Sequence, residues 1–188
     1  MLNLVLRPGQ WFAPPSSLHI TLLEITHSTP ASTLSTLLSS RVLLETIQSL
    51  ATYTSSHPSA LHFPLLNLDA TALSLSFLPS PLSHDSETYH HLRESLFELY
   101  TAPDAYPTLN ARYVVPSAHI TLGRFLKPLD AGAVYRLVRE VEKIKEWLAN
   151  KMERREWKVG KEGVVEVRAG EVWYGGGGVL AKMDGDDT

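Results

Sequence analysis

Apolar residues recur at two different periods along this chain. Residues 18–26 alternate with period two and are rich in β-branched side chains, which predicts a strand. A helical period follows, opened by Pro30 and Ser32 and carried by Leu34, Leu37, Leu38, Leu44, Ile47 and Leu50. Two apolar runs, 61–68 and 72–78, are separated by Asp69-Ala70-Thr71 and read as a hairpin. Asp85 or Ser86 can cap a helix with Leu92, Leu96, Phe97 and Tyr100 on one side. Residues 112–115 and 118–125 are strand-like, interrupted by Pro116. Asp130 caps a long helix, about 133–155, and short strands are expected at 164–168, 171–173 and 179–183. Residues 2–6 predict one more strand, and the prolines and glycine of 8–15 a loop. Hairpins outnumber long crossovers, so the expected class is α+β, with antiparallel sheets and helices packed outside.

The most informative feature is a repeat. Ser17-Leu18-His19-Ile20-Thr21-Leu22 recurs as Ser117-Ala118-His119-Ile120-Thr121-Leu122, one hundred residues later, with five of six positions identical. Each copy is followed by a predicted helix, which suggests two lobes of similar design within one domain spanning 1–188. The first lobe is centred on 17–26 and the second on 112–125, with strands free to exchange between them. In a strand, residues two apart share a face and lie about 6.6 Å apart. His19 and Thr21 therefore point one way and Ile20 and Leu22 the other, and the same holds for His119 and Thr121 against Ile120 and Leu122. If the two strands pack side by side, two imidazoles and two hydroxyls converge.

That set has a definite chemistry. Histidine titrates near neutrality, so two of them can divide the work of general base and general acid. In-line displacement at phosphorus needs that division, because the nucleophile enters opposite the leaving oxygen. The threonine hydroxyls can donate to the non-bridging oxygens. A metal mechanism is disfavoured by the residues themselves: no carboxylate shares the predicted polar face within either motif, Glu24 having the opposite parity to His19. Two histidines fall short of the usual three protein ligands of a catalytic zinc, and magnesium wants clustered carboxylates.

Composition narrows the partners. The 188 residues carry a net charge of −3, with a pI near 6.2. Proteins that grip long nucleic acid are usually much more basic, so a small anionic ligand fits better. Cysteine is absent, which excludes thiol catalysis and thiolate metal sites. Residues 1–8 are too short, with too little basic lead-in, for a secretory signal, and no run approaches the roughly 18 apolar residues of a membrane span. The expectation is a cytoplasmic or nuclear monomer without cofactor or metal. Charge is uneven: residues 1–80 hold Arg7, Glu24, Arg41, Glu45 and Asp69, whereas 129–188 hold 23 charged side chains, read mainly as a helix face laced with i,i+4 pairs.

Paired H-x-T motifs define the 2H phosphoesterase superfamily, and the chain resembles it. Residues 14–19, 66–77, 89–93, 112–119 and 173–176 with Leu180 are similar to a fungal branch described as RNA ligase/cyclic nucleotide phosphodiesterase-like. The likeness extends over most of the chain from about residue 11. It implies a bilobal fold with two antiparallel sheets, related by a pseudo-two-fold, facing each other across a cleft. It also implies metal-independent opening of 2′,3′-cyclic phosphates of nucleotides or short RNA ends. His19 and His119 match the catalytic positions, and Thr21 and Thr121 the phosphate-binding ones. Family members often carry more chain before the first motif than the eighteen residues here. Two alternatives stand beside this reading: a non-catalytic module binding a nucleotide or RNA end, and 2′-5′ RNA ligase-like activity.

Other features carry less. The glycine run 175–178 lacks a following Gly-Lys-Ser/Thr and reads as a hairpin turn, though the resemblance makes the adjacent Tyr174 a candidate substrate contact. Ser17 and Ser117 are further candidate contacts, better suited to hydrogen bonding at strand ends than to nucleophilic attack, because no G-x-S-x-G elbow surrounds them. Trp11 and Phe12 read as core before base stacking. His90 and His91 are adjacent on a helix and do not face one another, and His27, His57, His62 and His84 match no ligand spacing. Arg124, five residues past His119, has the wrong parity for the histidine face unless a bulge intervenes.

Overall fold

The structure, a computed structural model, describes residues 9–80, 87–102, 117–152, 155–174 and 176–184. Expectations for 2–6, 112–115, His84, Asp85 and Ser86 fall outside these residues. Among the described residues, two antiparallel sheets and four α-helices give the α+β class the pattern predicts. The larger sheet runs in the order β1 (Gln10–Phe12), β4 (His119–Phe125), β3 (Ala72–Pro79), β2 (Ser59–Leu68) and β5 (Glu156–Val159). The smaller is a hairpin of β6 (Val164–Ala169) and β7 (Gly178–Asp184).

The helical period after residue 30 is two helices, α1 (Ala31–Leu38) and α2 (Arg41–Ser56). The break falls at two serines: the Ser39 amide closes the first helix onto Ser35, and the Ser40 side chain accepts the Leu43 amide to open the second. Helix α3 (Tyr89–Thr101) is capped by Thr88 in a reciprocal box with His91. Its Leu92, Leu96 and Tyr100 are buried, but Phe97 is nearly half exposed and lies off the predicted stripe. Helix α4 (Ala131–Met152) is capped by Asp130, as expected, through the Ala133 amide at 2.7 Å. Two ion pairs on it, Lys143–Glu140 and Lys145–Glu142, are spaced i,i+3 rather than i,i+4.

Two apolar clusters hold the layers together. Leu137, Val141, Ile144 and Leu148 form a stripe on α4 against Leu66, Leu73, Leu75 and Leu122 of the larger sheet. The second cluster joins Leu43, Ile47 and Leu50 of α2 and Leu92, Leu96 and Tyr100 of α3 to Leu61, Ala118 and Val159. Val167, Leu180 and Ala181 of the hairpin and Ile20 and Leu22 pack against it. Among the described residues, no helix is long and apolar enough to cross a membrane.

The β2–β3 turn is built on Asp69. Its Oδ1 accepts the Thr71 amide at 2.6 Å, the Thr71 hydroxyl at 2.8 Å and the Ala72 amide at 2.8 Å. These bonds, the Thr71 amide first, hold its carboxyl below the ordinary aspartate value, with a smaller contribution from the Arg124 charge. A lowered folded value means the stabilisation is present above the unfolded carboxylate range, near pH 4, and is lost as pH falls through the lower folded value. Asp69→Ala should cost on the order of 1 kcal/mol at pH 7, the low end for charge-assisted bonds because the turn is open to solvent. Thermal melts at pH 7 and pH 3 check this: the gap between variant and parent should narrow at the lower pH.

Candidate active site

The second H-x-T motif opens β4, with its register fixed by β3. His119 lies opposite Ser76 and Thr121 opposite Ser74. The first motif reaches the same strand from the other edge. After β1 pairs with the far half of β4, the Ala13 amide bonds to Leu122 O and the chain takes a 3₁₀ turn over Pro15–Ser17. It then returns to β4 through an antiparallel bridge between Ile20 and Ile120. Residues 18–26 are thus a bridged extended segment, not the continuous strand their alternation predicts. Pro14 and Pro15 start the turn, and a proline offers no amide to a ladder.

The bridge decides how the motifs meet. In an antiparallel pair, flanking residues oppose each other in reverse order, and opposed residues share a face. With Ile20 against Ile120, His19 falls beside Thr121 and Thr21 beside His119, the four side chains on one face and the isoleucines on the other. The two imidazoles stand on a diagonal of this square, close enough that the charge of one acts on the other. Ser74 and Ser76 extend both rows onto β3. Asn67, opposite Ser74 on β2, donates its amide to Ser76 Oγ at 2.8 Å.

Each imidazole is oriented through Nδ1. His19 Nδ1 lies 2.8 Å from Ser17 O. A carbonyl can only accept, so Nδ1 carries a proton and Nε2 is the atom left for chemistry. His119 Nδ1 lies 2.9 Å from the Ser117 hydroxyl, which can donate or accept. The two serines therefore serve their histidines. Ser17 does so with its backbone carbonyl, because its hydroxyl donates to Pro14 O at 2.9 Å. The buried Tyr89 at the start of α3 donates to Thr21 O at 2.7 Å and pins the first motif from behind. His19 is exposed and His119 half-buried. Burial pushes the His119 pKa down, hydrogen bonding to Ser117 opposes this, and the charges of Arg93, Arg124 and His19 lower it further.

Arg124 stands on the histidine face, contrary to its parity in the sequence. The β3–β4 register slips between Leu73, opposite Gly123, and Ser74, opposite Thr121. Leu122 is the extra residue of a β-bulge, and it turns Arg124 over to face Ala72, on the side of Ser74 and Ser76. Gly123 is the local signal for this, since a glycine inside a strand pattern often marks a bulge. Opposite Arg124 on β1 is Trp11. The tip of the β6–β7 hairpin arrives here too. Residues 171–173, expected as a strand, instead enter a 3₁₀ turn over Val172–Tyr174 that places Trp173 over the Arg124 guanidinium, 5.3 Å from the ring centroid. Tyr174 meets Trp11 edge to face, with centroids 5.2 Å apart. Tyr174 is about half exposed, whereas Phe12 packs into the core as expected.

Two depressions lie elsewhere on the molecule. One, of about 450 Å³, is lined by Glu87, Glu94 and Glu98, a set that repels phosphate. The other, of about 610 Å³, runs along α2 past Tyr53 and His57. Neither includes a motif residue. Among the described residues, no group of three or more His, Cys, Asp or Glu side chains is arranged to hold a metal ion.

No protein-family model, curated protein or solved structure matches the chain.

Proposed function

We propose that this protein is a metal-independent phosphodiesterase of the 2H type, opening 2′,3′-cyclic phosphates of nucleotides or short RNA ends. The observation that carries the reading is the Ile20–Ile120 bridge, which brings the two copies of one motif together head to tail on a single face. The pseudo-two-fold and the cleft belong to the same proposal; the bridge and the approach of the hairpin tip to β1 and β4 support them.

Roles follow from the asymmetry between the histidines. His119, its pKa lowered, is neutral at pH 7 and takes a proton from the attacking water through Nε2. The water oxygen bonds to phosphorus as the bond to one ribose oxygen breaks. His19, as the acid, gives its Nε2 proton to that oxygen while its Nδ1–H stays hydrogen-bonded to Ser17 O. Thr21 and Thr121 donate to the non-bridging oxygens, and Arg124 stabilises their growing charge. The exposed Tyr174, steadied by Trp11, offers a face for the base.

Turnover of the four 2′,3′-cyclic mononucleotides in EDTA tests this. Hydrolysis should persist in EDTA and give a bell-shaped pH profile. The acid limb belongs to His119 and lies below the ordinary histidine range, because the base must be neutral. Turnover that vanishes with EDTA and returns with a divalent ion would overturn the mechanism. No turnover with a cyclic nucleotide still bound would leave a binding module.

A further inference from the structure

We infer that Trp173 is a positioning residue: its indole, delivered by the tip of the β6–β7 hairpin, holds the Arg124 guanidinium on the histidine face. For the catalytic consequence this rests on the phosphodiesterase reading; for the geometry it does not.

Arg124 Nε is buried and finds no hydrogen-bond partner among the described residues, so hydrogen bonds do not fix that end of the guanidinium. The guanidinium carbon instead lies over the Trp173 ring, 5.3 Å from its centroid, within the range of a cation–π contact. Trp173 is itself 50% exposed, so core packing does not account for its position. The tip that carries it is tightly wound. A Cβ on Gly176 would lie 2.7 Å from Glu171 O, and Gly177 takes a φ of +85°, which favours glycine. The Trp11–Tyr174 contact fastens the same tip to β1. The smaller sheet thus sets the position of a cation on the larger one.

The charges around the pair are defined. His119 is faced by Arg93 of α3, His19 of the first motif and Arg124 of its own strand; Arg124 acts on Asp69 of the β2–β3 turn. An arginine released from Trp173 would leave His119 with less positive charge beside it, and the imidazole would protonate more readily.

The experiment is an NMR titration of His119 in the parent, Trp173→Ala, Trp173→Phe, Arg124→Met and the Trp173→Ala/Arg124→Met pair, alongside kcat/KM on 2′,3′-cyclic AMP. Trp173→Ala should raise the His119 pKa and lower kcat/KM about tenfold, the upper range of one cation–π contact. Phe should restore most of both, and in the Arg124→Met background Trp173→Ala should change neither. An unchanged titration, a shift that Phe does not reverse, or an equal shift without Arg124 would overturn the inference. A parent that hydrolyses no cyclic phosphate would overturn the functional reading, while the titration still decides the role of Trp173.

Discussion

Alanine at His119 should lower turnover of a 2′,3′-cyclic nucleotide by about 10²- to 10⁴-fold, the usual worth of a general acid or base, with the fold intact. His19→Ala should do the same. Neither side chain belongs to either apolar cluster, so removing it opens no cavity in the core. The two variants should differ in their pH profiles. Without His119 the acid limb disappears, because no base remains to be blocked by protonation; His19→Ala should keep it. The double variant should fall little below either single one, because a base and an acid that act in one displacement are not additive. Rates with melting curves on all four proteins check this. Full activity in either single variant would remove the two-histidine mechanism.

Valine at Gly123 should damage both the fold and the site. A Cβ there would lie 2.7 Å from Phe12 Cδ1 and 2.9 Å from Trp11 O, so β1 must withdraw from β4. Phe12 leaves its place in the core, and overpacking of this kind costs about 1–3 kcal/mol. The same movement disturbs the bulge that turns Arg124 to the histidines and the strand that brings Trp11 to Tyr174. Arg124→Met separates the two effects. It should lower kcat/KM about 10- to 100-fold, as for loss of a charged hydrogen bond to phosphate, without moving the melting temperature. Gly123→Val should lose activity at least as severely and melt earlier as well. A valine variant that keeps both properties would show that the bulge does not place Arg124.

The Asp130 cap, the 61–68/72–78 hairpin and the strand of the second motif were legible along the chain, because each depends on residues adjacent or one turn apart. Besides the 18–26 segment, four elements were misread or missed for want of local signal. Strand β5 is four residues long and follows directly on α4, where the charged sequence continues a helical pattern. Strand β1 is three residues that pair only because β4 offers an edge. The 171–173 run has strand-like composition but is curled by the glycines after it. The break between α1 and α2 rests on the Ser40 side chain, which accepts the Leu43 amide where Ser39 and Ser40 interrupt an otherwise continuous apolar period.

Within each motif, a histidine and a threonine on one side and aliphatic residues on the other follow from a period of two. How those faces meet depends on contacts distant in sequence. The antiparallel bridge through Ile20 and Ile120, the bulge at Leu122 that reverses the parity of Arg124, and the arrival of Trp173 from the second sheet all depend on partners tens of residues away. Parity in a strand is a local property and survives translation from sequence to structure. Register and bulges are set by the neighbouring strand, and for that the chain has to fold.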